Sequence, residues 1–551
     1  MAKFITAAEA AKLIPDGATV GIGGMGLSGW AEEVACAIRD SFKETGHPCG
    51  LHLKQGSAMG DWGVGNYFLG WDRTPDPSKG PYRPGPDKET GARGATRFGE
   101  AGPGLITKWT SAHIGSAFTL CDQARANQLA CWCLPQGVII NLWREIAGGR
   151  PGLLTKIGLG TFVDPRVEGG EMNQAARDSG EHMVKLVEFE GEEYLFYPSF
   201  KCDVALLRGT IADEKGNISF ARESVINEGM AIAQAVKRSG GIVIVQVEYL
   251  AKADTLNPKD VKIPGILVDY VVEAKDPMSC WQTEGKYWEP SFSGQIRKPL
   301  DSIPPVPFDE RKVICRRCAM ELRPGYVVNL GVGMPADVSK IVNEEGYIDK
   351  LTMSTESGMV GGVPSALPSF GSAYNPEAII TPNEMFDFIS GGGLDCTILG
   401  IGEIDKYGNN NVSRMGSRLT GPGGFVDISS NTPKVIFAGV FMGKAKEKIG
   451  DGKIVIEQEG TIKKFVDTVG QITFSGQFAP DNQEVLYVTE RAVFKLIDHK
   501  ITLIEIAPGL DLQKDVLDQM DFKPEIAKDL KVMDESIFRD EKWGGLDEIF
   551  A

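Results

Sequence analysis

The sequence predicts an α/β protein made of two similar open domains, related by internal duplication and built on mostly parallel sheets. β-type runs such as residues 240–250 and 433–442 alternate with helical patterns such as residues 223–239. This alternation is typical of βαβ units, in which helices connect parallel strands. Two sequence motifs also occur twice in the same order, which indicates duplication.

The first repeated motif is a turn glycine, a β-type run, a glycine-rich loop and a helix start. It occurs as DGATVGIGGMGLSGWAEEV at 16–34 and as PGYVVNLGVGMPADV at 324–338. The second motif begins at Asp203 (DVALLRGTIADEKGN) and again at Asp395 (DCTILGIGEIDKYGN), and it ends in a Gly-Asn turn. The two motifs lie farther apart in the first half, so we expect large insertions there.

These motifs predict an N-terminal domain (1–275), a Pro-rich linker (276–311) and a C-terminal domain (312–551). Trp281, Tyr287 and Trp288 in the linker indicate that it packs against another part of the protein.

One insertion in the first domain covers residues 70–104. It is crowded with Gly, Pro and charged residues and has neither helical nor strand periodicity. We expect it to form an ordered cover near the substrate pocket or a subunit contact, since Trp71, Tyr82 and Phe98 would be costly in water.

Composition excludes several classes of partner. The formal net charge of -16 over 551 residues disfavours nucleic acid and anionic membrane surfaces. The N-terminus shows Thr6 and Glu9 in capping-box spacing and lacks the apolar core of a signal peptide, and no apolar run is long enough to span a membrane. Ten cysteines without a compact framework are typical of a reduced, cytoplasmic chain. The pairs at 315–318 and 131–133 do not fit a zinc site, so no metal is expected.

Two glycine-containing segments of the second half suggest chemistry. In VNLGVGMPADV (328–338), Gly331 and Gly333 would let backbone N–H groups approach a ligand, and Pro335 suits the start of a helix. The turn is either an anion or oxyanion site or simply a tight strand-to-helix connection. In STESGMVGG (354–362), Glu356 is flanked by small residues, as an accessible carboxylate nucleophile requires, although a glutamate in a loop is commonly just exposed to solvent.

The order of motifs resembles that of family I coenzyme A transferases of the acetate and propionate branch. The resemblance is carried by LGVGMPADV, TESGMVGG, SGGGLD, GEIDKYGNNNVS, GPGGFVDI and YVTERAVFKL in the second half, and by LPQGVIINLWR and IGLGTFVDPR in the first. It covers nearly the whole chain. It implies an enzyme that moves CoA between short-chain acyl-CoA and free carboxylic acids, with CoA as a substrate, no other cofactor and a homo-oligomeric assembly.

The resemblance also implies roles for individual residues. Glu356 matches the nucleophile that carries CoA as a glutamyl thioester in a ping-pong reaction. Gln136 and Gly424 match positions that reach the substrate carboxylate or the oxyanion. Ser357 replaces the Asn that follows the glutamate in the ketoacid branch, which disfavours acetoacetyl or succinyl substrates. The predicted CoA-binding residues are Gly331, Val332, Gly333, Met334, Pro335, Gly421, Gly423 and Gly424.

Three other functions remain open from the sequence. An acyl-CoA thioester hydrolase would use the same scaffold and admit water to the same intermediate. A non-catalytic CoA-binding protein would catalyse neither reaction. An NAD-dependent oxidoreductase could use GIGGMG (21–26) as a phosphate loop, but the acidic residue expected about 20 residues later for the ribose is missing.

Overall fold

The computed structural model describes residues 2–57 and 94–550. Most of the predicted insertion, residues 70–93, lies outside the described residues, and with it the expectation for Trp71 and Tyr82. The described end of the insertion contains a short helix in which Phe98 is buried edge-on against Trp30, with ring centroids 5.5 Å apart.

The first half is built on an eight-stranded sheet in the order β1-β15-β12-β9-β2-β3-β4-β5, and every neighbouring pair in it is parallel. The strands are β1 (Lys3–Phe4), β2 (Thr19–Ile22), β3 (Leu51–Gln55), β4 (Ile106–Ser111), β5 (Ala130–Cys133), β6 (Gly152–Thr155), β7 (Lys185–Phe189), β8 (Glu192–Pro198), β9 (Val204–Arg208), β10 (Ile211–Asp213), β11 (Ile218–Ser219), β12 (Ile242–Val247), β13 (Tyr249–Ala251), β14 (Val261–Ile263) and β15 (Tyr270–Glu273). The helices are α1 (Ala7–Lys12), α2 (Glu32–Thr45), α3 (Thr96–Glu100), α4 (Phe118–Arg125), α5 (Gln136–Ala147), α6 (Gln174–Ser179) and α7 (Gly229–Ser239).

The second half is built on a ten-stranded sheet in the order β21-β18-β17-β16-β22-β27-β32-β33-β34-β35, which is parallel in its centre and has antiparallel pairs towards both edges. The strands are β16 (Val327–Leu330), β17 (Thr352–Ser354), β18 (Met359–Val360), β19 (Val363–Pro364), β20 (Ala373–Tyr374), β21 (Ala378–Ile379), β22 (Cys396–Gly400), β23 (Glu403–Ile404), β24 (Asn410–Asn411), β25 (Arg414–Met415), β26 (Arg418–Leu419), β27 (Lys434–Ala438), β28 (Met442–Gly443), β29 (Lys446–Gly450), β30 (Lys453–Gln458), β31 (Ile462–Lys463), β32 (Glu484–Val488), β33 (Ala492–Ile497), β34 (Lys500–Ile506) and β35 (Glu525–Val532). The helices are α8 (Glu310–Ala319), α9 (Val338–Glu344), α10 (Pro382–Ser390), α11 (Phe425–Asn431) and α12 (Asp547–Phe550).

Equivalent hydrogen bonds in the two halves support the duplication predicted from the sequence. Asp203 Oδ2 accepts from Thr19 N at 2.8 Å, and Asp395 Oδ2 accepts from Val327 N at the same 2.8 Å. The central strand order β12-β9-β2-β3 in the first sheet matches β27-β22-β16-β17 in the second. The predicted fold class, two similar open α/β domains with mostly parallel sheets, is confirmed.

Two local predictions were wrong in their boundaries. The helical pattern at 223–239 forms a helix only from Gly229, because the Asn227 side chain accepts from Gly229 N at 2.8 Å and starts the helix there. The β-type run at 240–250 is interrupted after Val247, where the chain leaves the large sheet and pairs with β10 instead. The capping box of Thr6 and Glu9 at the start of α1 is present as predicted.

The linker lies against both halves. Trp281 is buried and Thr283 Oγ1 lies 2.8 Å from Ser369 Oγ of the second half, whereas the Tyr287 hydroxyl donates to Glu248 of the first. Trp288 remains 40% exposed. Since α8 begins at Glu310, the second half starts its first helix two residues before the predicted boundary at 312.

Two whole-chain features bear on the predicted setting of the protein. All ten cysteines are free. Among residues 2–57 and 94–550, no helix combines the length and the apolar character needed to cross a membrane.

Candidate active site

Glu356 lies in a tight hairpin turn between β17 and β18, which we call the Glu356 hairpin (residues 352–360). Thr355 N donates to Met359 O and Gly358 N donates to Thr355 O, both at 3.0 Å. Gly358 has φ of +107°, and a Cβ there would lie 2.0 Å from Ile380 O. Only glycine fits this position without strain, so the sequence after Glu356 fixes the path of the turn.

Hydroxyl groups on both sides of Glu356 hold the hairpin against a neighbouring loop. Thr355 Oγ1 and Ser357 Oγ lie 2.7 Å apart, and both donate to the carbonyl oxygen of Gly371. The Ser357 side chain is therefore directed to the protein backbone. Its replacement of the Asn found in the ketoacid branch thus has a structural consequence, because Ser357 anchors the turn that carries Glu356.

The Glu356 carboxylate is buried but not fully paired. Glu356 is 5% exposed, and its Oε2 has no hydrogen-bond partner among the described residues. Burial raises the pKa of Glu356 to about 7, against the opposing effects of its own backbone N–H and of the Asn329 amide. Asn329 belongs to β16, the strand next to β17. The alternative of a solvent-exposed loop glutamate is therefore wrong, whereas the role of Glu356 as the nucleophile remains a prediction.

The predicted CoA-binding loop, Gly331 to Pro335, follows β16 and is adjacent to the Glu356 hairpin. Gly331 N donates to Ile398 O at 2.8 Å, and Val332 is 40% exposed. Gly333 has φ of +87°, and nothing lies within 4 Å of the position a Cβ would take. A short 3₁₀ turn, Met334–Asp337, then leads into α9. The loop is thus an open strand-to-helix turn at the carboxyl end of a parallel strand, where ligands bind in open α/β sheets.

The second glycine segment connects the two halves, and we call residues 420–424 the seam loop. Gly423 N donates to Ala112 O at 2.9 Å, and Ile114 N donates to Thr420 O at 2.8 Å. Gly421 N donates to Ser413 O at 3.0 Å. The N–H groups of Gly421 and Gly423 therefore already have protein acceptors. Their predicted part in CoA binding remains a prediction, and it would require these bonds to be exchanged.

Gln136 lies beside the seam loop, at the start of α5. Its N–H donates to Gly423 O at 3.1 Å, and its Oε1 would be 3.5 Å from a Cβ on Gly424. The carboxylate of Asp427 accepts from Gly137 N at 3.1 Å, and burial raises the pKa of Asp427 to about 7 although the N–H groups at the start of α5 oppose this. The structure thus brings Gln136 and Gly424 together, and their substrate or oxyanion role remains a prediction.

The sequence analysis missed a second buried carboxylate, Glu228, on the first half. Its Oε2 accepts from Gly24 N at 3.3 Å, its Oε1 has no hydrogen-bond partner, and burial raises its pKa to about 7. Residues near it contact the Glu356 hairpin: Val225 packs with Met359 in a small apolar cluster. The sequence signal was hidden because Glu228 is inside a stretch with a continuous helical pattern.

One group of possible metal ligands occurs among the described residues, and it lies away from this site. Asp16, His47 and Cys49 lie in turns, with Asp16 Oδ2 2.6 Å from His47 Nδ1 and Asp16 Oδ1 accepting from Cys49 N at 2.9 Å. These residues precede β2 and β3 and so lie at the amino ends of the strands. Glu356 and the loop after β16 are at carboxyl ends, so this group has no part in their chemistry.

The buried carboxyl groups predict a specific dependence of stability on pH. Glu356, Glu228 and Asp427 each have a folded-state pKa raised to about 7, above the unfolded value near 4. Folding therefore favours their protonated forms, so their contribution to stability is fully present below about pH 4 and is lost as the pH rises towards 7. Each group accounts for up to about 4 kcal/mol of this loss.

A neutral isostere removes this dependence for one group. We expect the free energy of unfolding to fall less between about pH 5 and about pH 8 in Asp427→Asn than in the wild-type protein, as measured by urea unfolding at both pH values. The exposed control Asp451→Asn should follow the wild type. Equal slopes for Asp427→Asn and wild type would contradict the assignment of a raised pKa.

Comparison with known proteins places these features in context. Residues 89–274 match the family described as Coenzyme A transferase. The chain is 60% identical over its full length, and over the full length of the relative, to a caffeate CoA-transferase from Acetobacterium woodii. It is 38% identical to the acetate CoA-transferase YdiF from Escherichia coli (strain K12), covering 98% of this chain and 96% of the relative.

Solved structures give the same result for the fold. The crystal structure of the acyl-CoA transferase YdiF apoenzyme from Escherichia coli O157:H7 superposes with a TM-score of 0.87 at 37% identity, covering 98% of this chain and 97% of the other. A thioester complex of the same protein with CoA superposes with a TM-score of 0.85 at 36% identity, with the same coverage.

Proposed function

The chain belongs to the family I coenzyme A transferases, and on that premise we propose that it transfers CoA between an acyl-CoA and a free carboxylic acid through a covalent thioester on Glu356. The observation that carries the proposal is the buried Glu356 carboxylate with an unpartnered oxygen, beside the open glycine loop at the end of β16.

The proposed reaction balances without net proton transfer. Glu356 attacks the acyl carbonyl, and the C–S bond of the resulting tetrahedral adduct breaks. CoA leaves as a thiolate, and a mixed anhydride of the acyl group with Glu356 remains. The thiolate then attacks the glutamyl carbonyl and releases the first acid, which leaves CoA on Glu356. The second acid reverses these steps, so the kinetics are ping-pong. Backbone N–H groups stabilise the oxyanions, and burial of Glu356 keeps water from the activated carbonyl.

Two acid classes are candidates for the acyl group. The motifs resembling the acetate and propionate branch favour short-chain acids, and the 38% identical relative carries the name of an acetate CoA-transferase. The 60% identical relative carries the name of a caffeate CoA-transferase. Because identity is higher to the latter over the whole length, we propose phenylpropenoic acids of the caffeate type as the principal acceptors, with short-chain acids as the second candidate.

A panel of acids tests both points. We expect CoA transfer from acetyl-CoA or another acyl-CoA to depend on the added acid, and kcat/KM to be highest for caffeate-type acids among acetate, propionate, butyrate, cinnamate and caffeate. Highest kcat/KM for acetate or propionate would instead support the short-chain class. Loss of acyl-CoA at the same rate without any acid would identify a hydrolase and contradict the proposal.

The setting of the enzyme is also a proposal. We expect a cytoplasmic homo-oligomer, and the ten free cysteines support a reducing compartment. Size measurement of the purified protein in solution tests the oligomeric part.

A further inference from the structure

The duplication gives residues 352–357 of the Glu356 hairpin counterparts in the first half, residues 52–57. β2 pairs with β3 so that Thr19 is opposite His52, and β16 pairs with β17 so that Val327 is opposite Thr352. Thr19 and Val327 are themselves equivalent, since each donates its N–H to the second-motif aspartate. Counting from His52 and Thr352 along the chain, the counterpart of Glu356 is Gly56.

The space beside Gly56 holds a carboxylate that comes from another element. A Cβ on Gly56 would lie 2.9 Å from Glu228 Oε1, so the absence of a side chain at 56 makes room for Glu228. Glu228 immediately precedes α7 and is held by Gly24 N at 3.3 Å, in the glycine-rich loop after β2. Both halves thus place a carboxylate at the carboxyl end of equivalent strands.

Two buried polar atoms on the segment that precedes α7 are left without protein partners. Glu228 and Asn227 are each 2% exposed, and neither Glu228 Oε1 nor Asn227 Nδ2 has a hydrogen-bond partner among the described residues. The neighbouring side chains Ile140 and Ile232 are apolar. Buried polar groups without partners are destabilising, so their presence next to a reactive site points to a ligand group that completes them.

The segment that carries Asn227 and Glu228 adjoins the Glu356 hairpin. Val225, on the segment that leads to Asn227 and Glu228, packs with Met359 of the hairpin. In the loop that carries Gly24, the Met25 sulfur would be 2.5 Å from a Cβ on Gly371, the residue that accepts hydrogen bonds from Ser357. The segment and the loop that hold Glu228 therefore pack against the Glu356 hairpin and against the Gly371 loop that anchors it.

We propose that Glu228 and Asn227 form the polar end of the acyl pocket and recognise a hydroxyl group on the substrate acid, so that hydroxylated acids are preferred to their unhydroxylated parents. A hydroxyl donates one hydrogen bond and accepts others, which suits an unpartnered carboxylate oxygen and an unpartnered amide N–H. The inference rests on the proposed function and adds the chemical class of its substrate.

Matched pairs of acids test the inference in the intact enzyme. The pairs are cinnamate with 4-hydroxycinnamate and cinnamate with 3,4-dihydroxycinnamate, each as acceptor with the same acyl-CoA. For the wild type we expect kcat/KM of a hydroxylated acid to exceed that of its parent by about tenfold or more. Glu228→Met keeps the length of the side chain but removes the acceptor. In this variant we expect kcat/KM for the hydroxylated acid to fall about tenfold to a hundredfold, whereas kcat/KM for the parent acid should change less than about threefold.

Glu228→Gln provides a second variant that keeps an acceptor oxygen. Glu228→Gln should retain part of the preference for hydroxylated acids, with a several-fold loss of kcat/KM for the hydroxylated acid only. It serves as the test if Glu228→Met does not fold. Equal losses of kcat/KM for a hydroxylated acid and its parent would overturn the inference. A rise in KM for acyl-CoA with an unchanged acid preference would also overturn it, because the group that donates to Glu228 would then be a pantetheine amide N–H and not a substrate hydroxyl.

The two proposals fail in different ways. If the wild type transfers CoA to no acid of either pair and to neither acetate nor propionate, the proposed function fails. If the wild type transfers CoA only to short-chain acids, or to both members of every pair without preference, only the role of Glu228 and Asn227 is overturned.

Discussion

Freshly prepared Glu356→Gln protein is expected to lose CoA transfer by about three to four orders of magnitude while still binding CoA. An amide oxygen is a poor nucleophile and cannot form the mixed anhydride, whereas the open loop after β16 is unchanged. The side chain keeps its shape, so the buried site beside Asn329 should still fold. Turnover with a panel acid and CoA binding by calorimetry give the two measurements.

The exposed Glu457→Gln is the matched control, since it makes the same chemical change on the surface strand β30. It should retain wild-type turnover. The glutamine at 356 can deamidate slowly back to glutamate, so activity that grows with storage time would not count as turnover by the variant. Wild-type turnover in fresh Glu356→Ala, which cannot revert in this way, would contradict the assignment of the nucleophile.

Chemical trapping supplies an independent readout of the same residue. After incubation with acyl-CoA and no acceptor, borohydride should reduce the glutamyl thioester and inactivate the enzyme, and peptide mapping should place the change within STESGMVGG. A label in the peptide that contains Glu490 would contradict this. Glu490 is buried, but both of its oxygens accept from Phe441 N, at 3.1 and 2.9 Å, so it lacks the unpartnered oxygen found on Glu356.

The parts of the fold that the sequence predicted well depend on local signals. The turn after Asp213 illustrates this, because Asn217 Nδ2 donates to Asp213 Oδ2 at 2.9 Å and Asn409 Nδ2 donates to Asp405 Oδ2 at 3.0 Å. Such short-range bonds need particular residues at fixed spacing, so a duplicated turn remains visible in the sequence. The strand-to-helix turn at Gly331 and the capping box of α1 are predictable for the same reason.

The features that the sequence analysis missed depend on contacts between distant segments. Glu228 was assigned to a helix because the apolar spacing from 223 onwards is helical, yet Val225 packs on Met359 of the other half instead. The glycines of the seam loop also did not reveal its contact with the first half, where the N–H of Gly423 donates to Ala112 O. Periodicity and motif spacing carry no information on which distant backbone a glycine will approach.

Gly358 marks the limit of what the turn around Glu356 tolerates. We expect Gly358→Ala to lower kcat by about a hundredfold or more and to destabilise the protein by several kcal/mol. The added Cβ would lie 2.0 Å from Ile380 O, and the residue would also have to hold φ of +107°, which costs about 1–3 kcal/mol for a residue other than glycine. The hairpin must shift to relieve the contact, and a displacement of about 1 Å at the nucleophile is enough for such a loss of rate.

Gly346→Ala separates the two causes. Gly346 also has positive φ, +83°, but nothing lies within 4 Å of the position its Cβ would take, and it lies beyond the far end of α9. This variant should lose about 1 kcal/mol of stability and keep wild-type turnover. Thermal unfolding and single-turnover formation of the glutamyl thioester measure both effects. Thioester formation at the wild-type rate in Gly358→Ala would contradict this prediction. It would show that a hairpin shifted away from Ile380 still presents the Glu356 carboxylate to the acyl carbonyl.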